Sequence, residues 1–274
     1  MEQRNIAFIG AGNMARSLIS GLITAGFPGS KIHATDIDTL KAQELGKEFG
    51  ITGSNDNVAA VKNADVIVLA VKPQFMAEML AQLAPVIGDF GNKLFISIAA
   101  GVSVARLQGL LNGHQNIVRC MPNTPSLIGI GMTGLFAPAV VNATDRQFAQ
   151  DMLQAVGKTL WVADEADINV VTAASGSGPA YFFLFMQYMV EEAQRMGFST
   201  EAARQLVQET ALGAAQMVIA NPETELATLR AQVTSKGGTT AAAINAFEEG
   251  KLADLVSVAM QAAQRRAEEM ETLF

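Results

Sequence analysis

The sequence predicts an α/β chain: a doubly wound sheet up to about residue 163, followed by an all-helical domain over residues 164–274. Three observations carry this. Aliphatic runs without polar alternation recur in the first half, as in Asp65-Val-Ile-Val-Leu-Ala-Val71, which suits parallel strands covered on both faces. Helical spacing fills the gaps between those runs. Beyond about Asp164 no convincing strand pattern returns. With 274 residues, half of them apolar, the chain can bury one large core or two ordinary ones.

The first strand, from Ile6, runs into Gly10-Ala11-Gly12, and a helix follows at once with Met14, Leu18 and Leu22 on one face. Strand, glycine turn and helix together form the context in which G-x-G-x-x-A marks a Rossmann-type dinucleotide turn. Gly10 permits the tight turn. Gly12 lets a pyrophosphate approach the amides of a helix N-terminus, and Ala15 keeps helix and strand close. A second strand, Lys31–Thr35, is followed by Asp36 and Asp38. Helix Thr39–Phe49 stops at Gly50, and a short helix spans Asn57–Lys62. Lys72-Pro73 ends the strand of residues 65–71, and helix Phe75–Leu83 follows. Further strands are expected at Lys93–Ile98 and Asn116–Cys120, with helix Val104–Leu111 between them. Shorter strands at Gly131–Ala137 and Lys158–Val162 flank a helix over Asp145–Val156. Ligands of such sheets lie across the carboxyl ends of the strands. Here those ends are Gly10–Met14, Thr35–Asp38, Ala70–Pro73, Ala99–Gly101 and Met121–Pro125.

In the second half, helices are expected at Glu165–Ala174, Pro179–Met196, Thr200–Ala220, Glu223–Val233, Thr239–Glu249 and Leu252–Met270. Pro179 suits a first helical turn, and the carboxylates of Glu201 and Glu223 suit helix starts. Several of these helices are too apolar to be covered by one protomer, so an oligomer built through this half is expected. The uncharged stretch Asn169–Val190 is interrupted by Gly176, Gly178 and Pro179, which leaves too short a run to span a membrane.

Net charge is −7, which gives no support to a nucleic-acid or membrane-surface role. One cysteine, Cys120, excludes an internal disulfide framework and fits a reducing compartment. With a strand beginning almost immediately and no signal-peptide pattern, a cytoplasmic location is expected. His33 and His114 stand apart without neighbouring ligand types, so no metal site is expected. Arg119 and Lys72, near strand ends, are open to two readings: phosphate contact or capping of backbone carbonyls.

A second glycine-bearing loop, Val233-Thr-Ser-Lys-Gly-Gly-Thr-Thr240, lies between two helices. Its backbone amides suit a carboxylate, since helix N-termini bind anions. By itself the loop reads more simply as a glycine C-cap followed by a threonine N-cap. Likewise Ser175-Gly-Ser-Gly-Pro-Ala180 reads as a turn before a buried helix.

Taken together, Gly10-Ala-Gly-Asn-Met14, Ala70-Val-Lys-Pro73, Met121-Pro-Asn-Thr-Pro125, Ser175-Gly-Ser-Gly-Pro-Ala-Tyr181 and Thr234-Ser-Lys-Gly-Gly-Thr-Thr240 resemble, in order and over essentially the whole chain, the pyrroline-5-carboxylate reductases. The resemblance implies reduction of L-1-pyrroline-5-carboxylate to L-proline by NADPH or NADH, the last step of proline synthesis. It implies protomers paired through the helical domain, a dimerisation domain, with dimers assembling further. It assigns Ile9, Gly10, Ala11, Gly12, Asn13 and Met14 to the pyrophosphate, and Asn57 to the adenine ribose. Ala70, Val71, Lys72 and Pro73 would lie along the dinucleotide, and Ile98, Ala99 and Ala100 towards the nicotinamide. Asn123 and Ser177 would line the site near nicotinamide and substrate. Ser235, Gly238 and Thr239 would hold the substrate carboxylate, largely through amides. Thr240 would hydrogen-bond the ring nitrogen, and Glu223 would reach substrate from a neighbouring subunit.

Thr35-Asp36-Ile37-Asp38 departs from the family habit of hydroxyl, Asn or Arg residues around a 2′-phosphate. An acid after the second strand accepts from a ribose 2′-OH and repels a phosphate, which argues for NADH. Family habit, with Thr35 and Lys41 at hand, argues for NADPH. The reading adopted is NADPH, with NADH also accepted. A β-hydroxyacid dehydrogenase would need a base, usually a lysine on the helix beyond the glycine-rich segment. That helix has neither lysine nor histidine before Arg195. A non-catalytic nucleotide sensor would show a degraded site, yet the motif at 234–240 is intact.

Overall fold

The computed structural model describes residues 2–274. Ile6–Ile9 forms β1, buried along its whole length because its side chains feed two cores at once. Ile6 and Phe8 join one apolar cluster, whereas Ala7 and Ile9 join the other. The chain continues through α1 (Asn13–Thr24), β2 (Ile32–Thr35), α2 (Thr39–Phe49), β3 (Thr52–Ser54), α3 (Asn57–Asn63) and β4 (Val66–Leu69). Next come α4 (Pro73–Ile87), β5 (Leu94–Ser97), α5 (Val104–Leu110) and β6 (Ile117–Met121). After these follow β7 (Gly131–Phe136), α6 (Ala143–Gln154) and β8 (Gly157–Trp161). Local chemistry sets many of the limits. The Asp38 carboxylate caps α2 by accepting from the Leu40 amide, and Gly50 ends that helix in the left-handed region. Pro73 stands in the first turn of α4.

The described residues build one eight-stranded sheet in the order β3-β2-β1-β4-β5-β6-β7-β8. It is parallel from β3 to β6, as expected for a doubly wound fold. Two features went beyond the sequence reading. β3 is short and polar, and no apolar pattern announces it. It packs so tightly on α2 that a Cβ on Gly53 would stand 2.0 Å from the Ala42 carbonyl oxygen. β7 runs antiparallel to β6, because the short turn between them leaves no room for the crossover that a parallel pair requires. The helix α6 supplies that crossover next, and β8 pairs parallel with β7.

The remaining helices are α7 (Asp167–Val171), α8 (Gly178–Arg195), α9 (Thr200–Ala220), α10 (Leu226–Gln232), α11 (Thr239–Glu249) and α12 (Leu252–Leu273). The expected helix at 165–174 is split: α7 ends at Val171 and a π-helical turn, Thr172–Gly176, follows. The helix expected from Glu223 begins later, at Leu226, which leaves Glu223 in the turn before it. The chain forms two compact units, one of residues up to Ser177 with Ala262–Phe274, the other Gly178–Gln261. The expected division at 163/164 marks the end of the strands. The packing units part at Ser177 because α7 lies against β6 and β7, while the last turns of α12 belong with the sheet. Among the described residues, no helix is long and apolar enough to cross a membrane.

Candidate active site

In the first unit the carboxyl ends of β1, β2 and β4 converge on the glycine turn. Gly10 has φ +107°, and a Cβ there would stand 2.6 Å from the Ala70 carbonyl oxygen, so the turn admits only glycine. Its amide donates to the Thr35 carbonyl at 2.8 Å, and the Ala70 amide donates to the Ile9 carbonyl at 2.9 Å. Gly12 is the N-cap of α1 and offers no side-chain cap to the first-turn amides of Asn13 and Met14. No atom lies within 4 Å of where a Cβ on Gly12 would stand. Open space beside uncapped helical amides fits a pyrophosphate.

Around this turn the sheet gathers most of the residues expected to hold the dinucleotide. The Asp36 carboxylate accepts from the Ala11 amide at 2.8 Å through one oxygen and from the Asp38 amide at 2.9 Å through the other. Thr35 is fully buried, and its hydroxyl donates to the Asn57 side-chain oxygen at 2.6 Å. Beneath them His33 Nε2 lies 2.7 Å from Ser54 Oγ, and burial holds its pKa below the ordinary histidine value despite the opposing charge of Asp56. Lys72 is the N-cap residue of α4, immediately after Ala70 and Val71, with Pro73 next. The Ile98 amide donates to the Leu69 carbonyl at 3.2 Å, which brings the start of the Ile98–Ala100 loop beside β4.

Asn123 is committed to holding loops together. Its Oδ1 accepts from the Met132 amide at 2.9 Å, and its Nδ2 donates to the carbonyl and hydroxyl oxygens of Ser175, both at 3.2 Å. This ties the Met121–Pro125 motif to the π-helical turn. A Cβ on Gly176 would meet Met121 Cε at 2.5 Å, so the same turn sits close over β6. Ser177 closes the turn, its amide donating to the Thr172 carbonyl at 2.8 Å.

The second unit carries the other loop, and it is built locally. Gly237 has φ +73°, and the Gly238 amide donates to the Ser235 carbonyl at 3.0 Å. Gly238 itself is the N-cap of α11, with no side-chain cap, so the expected threonine cap is replaced by glycine. The amides of Thr239 and Thr240 therefore open the helix free of a competing side-chain acceptor, as carboxylate binding requires. Ser235 and Thr239 are exposed, and Thr240 is half-buried. Glu223 is exposed in its turn.

Two features escaped the sequence reading. The π-helical turn has no composition of its own, although such turns concentrate at functional sites. Arg119 neither faces a phosphate nor caps a carbonyl. It is buried and ion-paired with Glu165 and Glu271. An arginine inside an aliphatic strand was the available signal, since a buried charge requires a partner. Cys120 beside it is buried, and desolvation pushes its thiol pKa far up, so it is inert.

A doubly wound sheet, a glycine turn that fits a pyrophosphate and a separate helical unit define a dinucleotide-dependent oxidoreductase. Residues 5–101 match the family model "NADP oxidoreductase coenzyme F420-dependent", and residues 165–270 match "Pyrroline-5-carboxylate reductase dimerisation". The chain is 55% identical to the pyrroline-5-carboxylate reductase of Vibrio alginolyticus over 274 residues, covering 100% of both. A solved pyrroline-5-carboxylate reductase from Coxiella burnetii superposes with TM-score 0.91 at 40% identity, over 98% of this chain and 99% of that one. The Plasmodium falciparum enzyme, solved with NADP bound, gives TM-score 0.87 at 28% identity over 99% of each chain. The chain belongs to the pyrroline-5-carboxylate reductase family. It is an NAD(P)H-dependent oxidoreductase that reduces the C=N bond of L-1-pyrroline-5-carboxylate to give L-proline, the last step of proline biosynthesis.

Proposed function

We propose the following division of work for that reaction, carried chiefly by one observation: a turn that only glycine can make at Gly10, which delivers uncapped helical amides at the head of α1. Ile9–Met14 hold the pyrophosphate. Thr35, Asp36 and Asn57 hold the adenosine ribose, Ala70–Pro73 run along the dinucleotide, and Ile98–Ala100 with Asn123 border the nicotinamide. When bound, the reduced cofactor supplies a hydride to the imine carbon.

The substrate is a small ring bearing a carboxylate and a protonated imine. Addition of hydride to the carbon moves the C=N π electrons onto nitrogen, and the cationic imine becomes a neutral amine. No strong general acid is obligatory, so the chain needs only to bind and orient. Ser235, Gly238 and Thr239 take the carboxylate through main-chain amides. The Thr240 hydroxyl holds the ring nitrogen, Ser177 borders the substrate, and Glu223 serves the site of the neighbouring subunit.

The cofactor is NADP(H), with NADH also accepted. Both Asp36 oxygens already accept main-chain amides, which tempers the charge presented to a 2′-phosphate. Two copies pair through the helical unit, dimers assemble further, and the enzyme works in the cytoplasm. The exposed apolar side chains of α8 support the pairing.

The test is to supply the purified chain with pyrroline-5-carboxylate and NADPH or NADH and to follow both nucleotide oxidation and proline. Equimolar proline and oxidised cofactor are expected, with the larger kcat/KM for NADPH. Nucleotide oxidation without proline, or no turnover with either cofactor, rejects the reading. Asp36→Asn should raise the NADPH to NADH preference by about tenfold, the worth of one charge-assisted contact.

A further inference from the structure

Arg119 on β6 takes no part in the chemistry above, yet it heads the fully buried side chains by volume. Its Nη1 donates to Glu165 Oε1 at 2.8 Å and lies 2.7 Å from Glu271 Oε1. The contact to Glu271 is short but off the N–H direction, so that oxygen is buried without a hydrogen bond and is held by charge alone. Glu165 does more than balance the arginine: the same oxygen accepts from the Val104 amide at 2.7 Å, at the first residue of α5. The guanidinium thus connects β6, the head of α5 and the last turn of α12.

Three further contacts fix that last turn. Arg106 Nε, on α5, donates to the main-chain oxygen of Phe274 at 2.8 Å. The Phe274 ring packs against the apolar cluster that contains Ala99, Val102 and Val104. Gly101, at φ +69°, lies so close to the helix that a Cβ there would stand 2.5 Å from Met270 Cβ. Apart from the Glu271–Arg119 pair on β6, these contacts run to the Ile98–Gly101 loop and the helix leaving it.

We infer that residues 270–274 form a strap that sets the position of the Ile98–Gly101 loop, with Glu271 as a positioning residue acting through Arg119 and Glu165. The inference rests on the reading that Ile98–Ala100 border the nicotinamide. The strap touches no reacting atom. Its effect is to hold the loop at the height that hydride transfer needs, so loosening it lowers turnover more than substrate binding. The single coulombic tie makes Glu271 the weakest point, because its neutralisation leaves Arg119 bonded to Glu165.

Two full-length variants test this, Glu271→Gln and the surface change Arg106→Ala, which removes the tie to Phe274 without disturbing a buried charge. Amide hydrogen exchange at residues 99–106 should speed up at least about tenfold in Glu271→Gln and about threefold in Arg106→Ala, with β1 and β4 unchanged. In Glu271→Gln, kcat should fall about fivefold while KM for pyrroline-5-carboxylate stays within about twofold. Exchange that stays at the wild-type rate in both variants overturns the strap. So does exchange that rises equally in β1 and β4, which would mark a merely structural contribution. If Glu271→Gln does not fold, Arg106→Ala decides by the same exchange criterion. A wild-type chain that forms no proline would reject the functional reading, whereas the exchange data would still judge the strap.

Discussion

β1 is wholly apolar and the first half of α8 nearly so, but the fold treats them differently. Each residue of β1 is 1% exposed or less, whereas on α8 Phe182 is 71% and Phe183 62% exposed. The strand lies between two helical layers of its own chain, and its side chains alternate between two cores. In the second unit only Ala203 and Val207 are buried hydrophobics among the described residues, although Phe185 and Phe247 approach with ring centroids 5.8 Å apart. Contiguous exposed apolar surface of this kind marks an interface. The first unit completes its own core, whereas the second leaves apolar surface uncovered, which the pairing proposed above would bury. The sharpest way to break this contrast is to replace both Phe182 and Phe183 with Glu. The chain should then run as a monomer in size-exclusion chromatography with light scattering, and activity should fall about a hundredfold or more, as for a fold inseparable from its assembly. A doubly substituted chain that stays dimeric and active would remove the contrast altogether.

The same comparison can be made between the two glycine turns. Gly10 is left-handed and pressed against backbone, whereas Gly237 is left-handed with nothing within 4 Å of a built Cβ. Gly10→Ala should therefore combine backbone strain of about 1–3 kcal/mol with a clash, and weaken NADPH binding about thirtyfold or more. Gly237→Ala meets only the left-handed penalty, about 1–2 kcal/mol, and should leave NADPH binding within about twofold. Urea unfolding and NADPH fluorescence titration read both quantities. Equal losses in the two variants would mean that the crowding at Gly10 is irrelevant.

Thr240→Ala tests the exposed loop for chemistry rather than shape. Because Gly238 already caps α11, the threonine is not needed to start the helix. Loss of a hydrogen bond made mainly in the transition state costs about 2–4 kcal/mol, so turnover should fall at least about tenfold with the circular dichroism spectrum retained. Steady-state kinetics that match the wild type would remove the role assigned to its hydroxyl.

The contrast between units also explains what could be read from the sequence. The aliphatic runs of β1, β4, β5 and β6 and the glycine turn announced themselves, since burial on both faces leaves no polar alternation. β3 was invisible because Thr52-Gly53-Ser54 owes its place to a neighbouring strand and to close packing on α2, neither of which is a local preference. In the same way, Pro179 and the hydroxyl-rich motif suggested a turn near 175–178, but only tertiary contacts to Met121 and Asn123 produce the π-helical turn. The glycine turn itself stood out because strand, glycines and helix follow one another locally, whereas Asn57, Ala70–Pro73 and Ile98–Ala100 were expected from the family resemblance and not from spacing. The partners of Arg119 were not, because Glu165 and Glu271 come from distant segments with unremarkable spacing.

If the first unit is self-supporting, acid should weaken it through its own charges and without regard to assembly. Asp145 is the test. Burial alone would raise its pKa, but Arg4, Asn116 and Asn142 outweigh burial and hold the carboxyl below the usual aspartate value. The network lies just before β1 and β6, at the amino edge of the sheet and away from the dinucleotide turn. A depressed folded pKa means that the stabilisation is complete above the ordinary aspartate pKa of about 4 and is lost as pH falls through the lower folded value. Asp145→Asn should therefore cost about 1–2 kcal/mol at neutral pH, because one charged hydrogen-bonding group is lost beside a partly exposed arginine. That gap should close progressively below about pH 4. Urea midpoints measured against pH for both chains read it directly, and the acid loss should be the same at low and high protein concentration. A gap that persists unchanged at low pH would show that the aspartate matters by shape and not by charge. A gap that varies with concentration would mean that the two units are stabilised together, and the contrast drawn from β1 and α8 would have to be abandoned.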